Sequence, residues 1–236
     1  MSREKKEGNF GIEFARKMKE NNFKELFGKM AVRRKGARKK AESSDPDQKL
    51  IQRFLSGEEG AFNQLVLNYQ NRVYGLCYQL LGSLDEAEEV AQEVFLTVYR
   101  SLKDFRGESR FSTWLYRVTV NHCKNRMKYL GRRGYYQSDS LEEPVETEKG
   151  EISRQLADEG QDPLEHLEQK EIQILVRKKI MDLAEDHRVV ILLRDLEGLS
   201  YQEIARILEL KEGTVKSRIH RARAELKSLL EKELFK

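Results

Sequence analysis

Three prolines in 236 residues, Pro46, Pro144 and Pro163, set the strongest limit on what this chain can fold into. Proline removes a backbone donor and clashes with the preceding turn, which confines it to a helix's first turn or to loops. The stretches from 47 to 143 and from 164 to 236 contain none and are rich in Leu, Glu, Lys, Gln and Ala, which favour helix. Between them, Gly131-Arg132-Arg133-Gly134 and the run from Ser138 to Gly160 are polar and glycine-punctuated, the composition of a flexible tether. The expected fold class is all-α: two small helical domains, at 46–130 and 164–236, joined by a flexible acidic linker at 131–163. A basic N-terminal extension, 1–45, precedes them.

Charge follows the same boundaries. The formal net charge of +4 conceals 14 Lys+Arg against 6 Asp+Glu in residues 1–44, 11 against 11 in 45–130, 4 against 9 in 131–163, and 15 against 14 in 164–236. Charged residues make up 36% of the chain, above the roughly 25% of an average globular protein, while 39% are hydrophobic. That suits thin helical cores. No run approaches the roughly 18 apolar residues of a membrane span, and no apolar run follows the basic start. The expectation is a soluble cytoplasmic protein, not an integral membrane one. Cys77 and Cys123 form no cluster with metal-ligand spacing, so both are expected as small buried thiols. No metal, cofactor or catalytic residue is expected.

Three S-x-x-E patterns, Ser56 with Glu59, Ser83 with Glu86, and Ser200 with Glu203, predict capping boxes at helix starts. Helices are expected near 47–56, 58–82, 84–103 and 111–130, then 164–184, 186–196, 200–208 and 212–233. After Ser200 the apolar positions Ile204, Ala205, Ile207 and Leu208, then Val215, Ile219, Ala222 and Leu226, give a short helix, a turn and a longer helix. This is a helix-turn-helix pattern. Its second helix leaves Thr214, Lys216, Ser217, Arg218, His220, Arg221 and Arg223 outward, residue types that pair with phosphates and guanine edges in a major groove.

The first domain carries two contrasting faces. On the helix from Leu84, Ala87, Val90, Ala91, Val94, Phe95 and Val98 form an apolar stripe, while Asp85, Glu89, Glu93 and Arg100 point away from it with Gln92 and Leu96 beside them. A leucine among carboxylates suits a basic protein partner and repels DNA. On the helix from Phe111, one side collects Trp114, Arg117, Asn121, Lys124, Asn125 and Lys128, a set suited to unstacked bases and phosphates. The preceding segment, with Phe105, Arg106, Gly107 and Phe111, suits a pocket for an extruded base, although either phenylalanine fits a core position as well.

These blocks resemble a known family. Residues 85 to 125, DEAEEVAQEVFLTVYRSLKDFRGESRFSTWLYRVTVNHCKN, resemble region 2 of sigma factors of the extracytoplasmic function (ECF) group, within the sigma-70 family. Residues 196 to 226, LEGLSYQEIARILELKEGTVKSRIHRARAEL, are similar to their region 4. The resemblance implies a non-enzymatic initiation factor that binds bacterial core RNA polymerase and directs it to promoter DNA. It implies that Asp85, Glu89, Gln92, Glu93 and Leu96 dock on the β′ clamp helices. It further implies that the segment from Phe105 to Phe111 captures a −10 base, with Trp114, Arg117, Asn121, Lys124 and Asn125 along the melted strand. Lys216, Ser217, Arg218, His220 and Arg221 would read the −35 duplex, His220 standing where relatives often carry an aromatic. An anti-sigma protein is the implied regulator. The linker carboxylates Asp139, Glu142, Glu143, Glu146 and Glu148 suit a positively charged channel.

Residues 1–45 fall outside the family's usual start. Phe10, Phe14 and Met18, then Phe23, Leu26, Phe27 and Met30, recur at helical spacing before Arg33-Arg34-Lys35 and Arg38-Lys39-Lys40, the pattern of a short basic amphipathic helix and a disordered basic arm. That pattern suits a solubilising start or auxiliary contacts to upstream DNA, a regulator or a membrane surface. Two other functions compete with the sigma reading. A duplex-binding regulator leaves the first domain's two faces unexplained, and an enzyme finds no phosphate loop, metal spacing or nucleophile motif.

Overall fold

A computed structural model describes residues 46–132 and 163–234, which form eight helices and no strand. We number them α1 (Pro46–Leu55), α2 (Glu59–Leu81), α3 (Leu84–Ser101), α4 (Phe111–Arg132), α5 (Pro163–Met181), α6 (Glu185–Ile191), α7 (Tyr201–Leu208) and α8 (Glu212–Leu234). The N-terminal extension and the linker carboxylates from Asp139 to Glu148 lie outside the described residues. Two expected helices end differently. A 3-10 turn at Leu102–Asp104 closes α3, and the expected 186–196 helix is α6 followed by a π-helical turn at Leu192–Leu196.

The three serine patterns have three outcomes. Ser200 forms the full capping box: its hydroxyl accepts from the Glu203 amide at 3.2 Å, and the Glu203 carboxylate accepts from the Ser200 amide at 2.8 Å. Ser83 accepts from the Glu86 amide at 3.3 Å, while the Glu86 carboxylate turns to Arg126 at 2.9 Å. Ser56 caps nothing. Gly57 (φ 98°) closes α1, the Ser56 hydroxyl donates back to the Arg53 carbonyl, and Glu58 stands at the N-cap of α2.

In the first bundle α2 packs on α1, α3 and α4, burying Val73, Leu76 and Leu80 against Val90, Val94, Val98, Leu115 and Val120. Cys77 and Cys123 meet in this core with their sulfurs 3.6 Å apart. The hydrogen bond to Cys77, with burial, pushes the Cys123 thiol well above its usual range, so it sits there as a protonated apolar group. In the second bundle Ile204 and Ile207 of α7 face Val215, Ile219 and Ala222 of α8, all fully or nearly fully buried. At about 1.5–3 kcal/mol for each fully buried aliphatic side chain, this contact fixes the helix-turn-helix angle.

The two bundles touch. Their apolar residues form one continuous cluster, with α2 meeting α5 and α4 meeting α7. Gly82 ends α2 in the left-handed region (φ 80°), where a Cβ would lie 2.8 Å from the Met181 terminal methyl at the end of α5. Arg188 of α6 reaches into the same junction. One guanidinium nitrogen donates to the Leu80 carbonyl of α2 at 2.8 Å, and the other donates to the Met181 and Leu183 carbonyls after α5. A cation between two helix C-termini answers the partial negative charge of both. Arg177 lies 4.7 Å over the Tyr78 ring and donates to its hydroxyl at 3.2 Å.

Candidate polymerase and nucleic-acid interfaces

The acidic face forms as the α3 periodicity predicts, and Asp85, Glu88, Glu89, Gln92 and Leu96 are exposed, Leu96 at 56%. A cation from the neighbouring helix organises it. Arg126 of α4 donates to Glu86 and Glu89 at 2.9 Å and to Glu93 at 3.0 Å, one guanidinium among three carboxylates. Its hydrogen bond holds the Glu89 carboxyl below its usual value. His122 spans Glu93 at 3.4 Å and Thr97 at 3.0 Å. The face therefore keeps excess negative charge on a rigid frame, with Leu96 as its apolar contact.

Phe105, Phe111 and Trp114 form a ring cluster with centroids 5.2 to 6.1 Å apart. Phe111 is 2% exposed and also packs on Tyr69, so its ring is a core group beneath Phe105 and Trp114. Phe105 and Trp114 are half-buried, and Arg106 beside Gly107 (φ 71°) is exposed.

Along α4, Asn121, Asn125 and Lys128 are exposed, whereas Arg117 and Lys124 are engaged by the second bundle. Arg117 donates to the Arg206 carbonyl at 2.9 Å and pairs with Glu209 at 3.5 Å. Lys124 pairs with Asp186 at 3.0 Å and Glu185 at 3.7 Å. The buried Tyr116 hydroxyl donates to the Glu197 carboxylate across the same seam. An open cleft of about 450 Å³ remains between Lys124, Lys128, Ala184, Glu185 and Asp186.

On α8, Thr214, Lys216, Ser217, His220 and Arg221 project outward, and the Ser217 hydroxyl donates to the Thr214 carbonyl. The other two cations assigned to this face have partners inside the protein. Arg218 pairs with Asp186 at 3.0 Å, on the carboxylate that also holds Lys124. Arg223 forks onto Asp195, whose side chain is 2% exposed, and so fastens α8 to the π-helical turn. The sequence reading missed Arg126, Asp186, Arg188, Glu197 and Glu209. Each acts on a residue distant along the chain, and periodicity carries no trace of such pairings.

Among the described residues no helix is long and apolar enough to cross a membrane, and no His/Cys/Asp/Glu group of three could hold a metal.

Comparison with known proteins agrees with this layout. Residues 65–133 match the model of Sigma-70 region 2, and 173–226 match Sigma-70, region 4. The chain is 39% identical over 189 residues to the RNA polymerase sigma-H factor of Pseudomonas aeruginosa, covering 80% of this chain and 96% of that protein. It is 42% identical over 177 residues to the ECF RNA polymerase sigma-E factor of Escherichia coli K12, covering 75% and 90%. Among solved structures it resembles the sigma factor RpoE bound to the anti-sigma factor NepR from Bartonella quintana. There the TM-score is 0.53 at 25% identity, over 72% of this chain and 96% of that one. The fold is also that of CnrH in complex with the cytosolic domain of CnrY, with TM-score 0.57 at 24% identity, over 79% and 98%. The chain belongs to the ECF group of the sigma-70 family, as an alternative, non-enzymatic sigma factor that directs RNA polymerase to start transcription at particular promoters.

Proposed function

We propose that the α3 face bearing Asp85, Glu89, Gln92, Glu93 and Leu96 docks on the β′ clamp helices of core polymerase. Phe105, Arg106 and the outer side of α4, with Trp114, Arg117, Asn121, Lys124 and Asn125, then take the melted −10 strand. The exposed row Thr214, Lys216, Ser217, His220 and Arg221 reads the −35 duplex. The observation that carries this reading is the separation of charge. The α3 face is acidic with Leu96 exposed among its carboxylates, while α4 and α8 present cations, amides and rings. Phe111 supports the pocket, and Arg223 holds α8 in place.

The contacts across the seam add a step. Arg117 and Lys124 are occupied by α6 and α7, so the bundles must part before a strand can lie on α4. Polymerase, which engages both bundles, supplies the driving force for that separation. An anti-sigma protein would act in the opposite sense, by holding the bundles where polymerase cannot use them. The place of action is the cytoplasm, with the polymerase and the chromosome.

The test is run-off transcription with reconstituted core polymerase on a promoter library. Leu96→Asp is expected to lower core binding about 10–100-fold and to leave −35 duplex binding by the full chain unchanged. Arg221→Ala should do the reverse, costing about 1–3 kcal/mol of duplex affinity if Arg221 reads a base. Core binding unaffected by Leu96→Asp would remove the docking assignment.

A further inference from the structure

The exposed surface of α3 changes character along its length. Its first three turns present Asp85, Glu88, Glu89 and Gln92 after an exposed Leu84, and of the five carboxylates there the Arg126 guanidinium pairs with three, Glu86, Glu89 and Glu93. Its last two turns present Leu96 and Tyr99, 56% and 46% exposed, with Arg100 exposed beside them. The Tyr99 ring lies 5.4 Å from Phe54 and 5.1 Å from Phe62, and Leu55, 51% exposed, adjoins this trio at the end of α1. The face is thus acidic at one end and apolar and aromatic at the other.

Residues 1–45, outside the described part, carry the complementary sequence in the opposite order. Phe23, Leu26, Phe27 and Met30 come first, followed by Arg33, Arg34, Lys35, Arg38, Lys39 and Lys40 with no acid among them. From Phe23 to Lys40 there are as many residues as in α3, 18.

The attachment point permits the match. Asp47, at the start of α1, is tied to Tyr69 by a hydrogen bond from the tyrosine hydroxyl. From Tyr69 to the acidic end of α3 is about 20 Å along the α2 axis, at 1.5 Å per residue. The seven steps from Lys40 to Asp47 extend to about 23 Å, and the thirteen from Arg34 to about 43 Å.

We propose that residues 23 to 40 lie antiparallel along α3, with their apolar positions on Leu96, Tyr99 and Leu55 and their cations on Asp85, Glu88 and Glu89. Resting on the docking assignment above, this makes the extension a built-in competitor of core polymerase for one face. It is held at an effective concentration of the order of millimolar by its own attachment. A face occupied about nine-tenths of the time lowers the apparent affinity for polymerase about tenfold. The competition weakens with salt, because most of the attraction is between exposed charges.

The test compares the full chain with two full-length variants, one carrying Gln at Arg33, Arg34, Lys35, Arg38, Lys39 and Lys40, the other Leu26→Ser with Phe27→Ser. Hydrogen exchange of α3 is read without polymerase, and core polymerase affinity is read separately. Side-chain footprinting of Leu96 and Tyr99 accompanies the exchange. Both variants lie outside the bundles, and unchanged thermal unfolding checks that the fold is intact. The expected result is Leu96 and Tyr99 shielded in the parent and open in both variants. The α3 amides should exchange faster in the variants, and polymerase affinity should rise about tenfold at low salt. Equal footprints with equal affinity, or shielding that moves with the variants only on α8 or only between two copies of the chain, overturns the proposal and leaves the docking assignment standing. Shielding that is lost in the variants while no form binds polymerase overturns the docking assignment, and the competition with it.

Discussion

Asp186 faces a cation from each bundle, Lys124 of α4 at 3.0 Å and Arg218 of α8 at 3.0 Å. Burial pushes its carboxyl up, but the hydrogen bond from Lys124 and the charges of Lys124 and Arg218 together hold it below its usual value. A carboxyl depressed in the folded state stabilises that state above its unfolded pKa, and the contribution is lost as pH falls through the folded one. The Asp186 contacts are therefore constant near neutrality and fail only below about pH 4. Small-angle scattering should show the parent unchanged between pH 7 and pH 5 and more open at lower pH, with the Asp186→Asn variant shifted part of the way toward the open form at pH 7. Arg188 makes a harsher prediction. Arg188→Leu strands the carbonyls of Leu80, Met181 and Leu183, and it is expected to cost about 2–4 kcal/mol in denaturant unfolding. A loss under 0.5 kcal/mol would mean that water serves those carbonyls equally well.

At the scale of elements, the helix-turn-helix is built from two opposite local choices. Ser200 caps α7 with both bonds of the capping box, so Ser200→Ala should lower stability by about 1 kcal/mol. At the other end of α7, Glu209 stands in the left-handed region (φ 55°), where a residue with a Cβ is strained and glycine is not. Glu209→Gly should relieve that strain and stabilise α7, while removing the carboxylate that pairs with Arg117. Thermal unfolding reads the first effect and exposure of Arg117 to chemical modification reads the second. The contrast between the serines marks how far local pattern reaches. S-x-x-E at Ser200 and Ser83 does mark helix starts, but at Ser56 the same letters follow a helix that Gly57 ends, and Glu58 is drawn to Arg53. Helix existence and buried faces were legible because 3.6-residue periodicity is written into adjacent positions, as Val215, Ile219, Ala222 and Leu226 illustrate. The π-helical turn at Leu192–Leu196 was not, since the backbone register there answers to the packing of Leu192 and Leu193 in a core shared by both bundles.

Across the whole molecule, what the sequence conceals is the seam. Tyr116 meets Glu197 across 81 residues and Arg188 meets Leu80 across 108, pairings that depend on where two bundles come to rest. Sequence alone pointed to the two faces we propose for DNA, yet it could not tell that Arg117 and Lys124 are held by carboxylates and a carbonyl of the other bundle. Asp186 sits between Lys124, which we propose lies along the melted strand, and Arg218, which lies on the helix proposed to read the duplex and is held by Asp186 until it is released. When one of these cations leaves for a phosphate, the other keeps the carboxylate to itself with less to compete against. On the proposed assignment of the two cations, occupancy at either half of a promoter is thermodynamically linked to occupancy at the other, with equal strength in both directions.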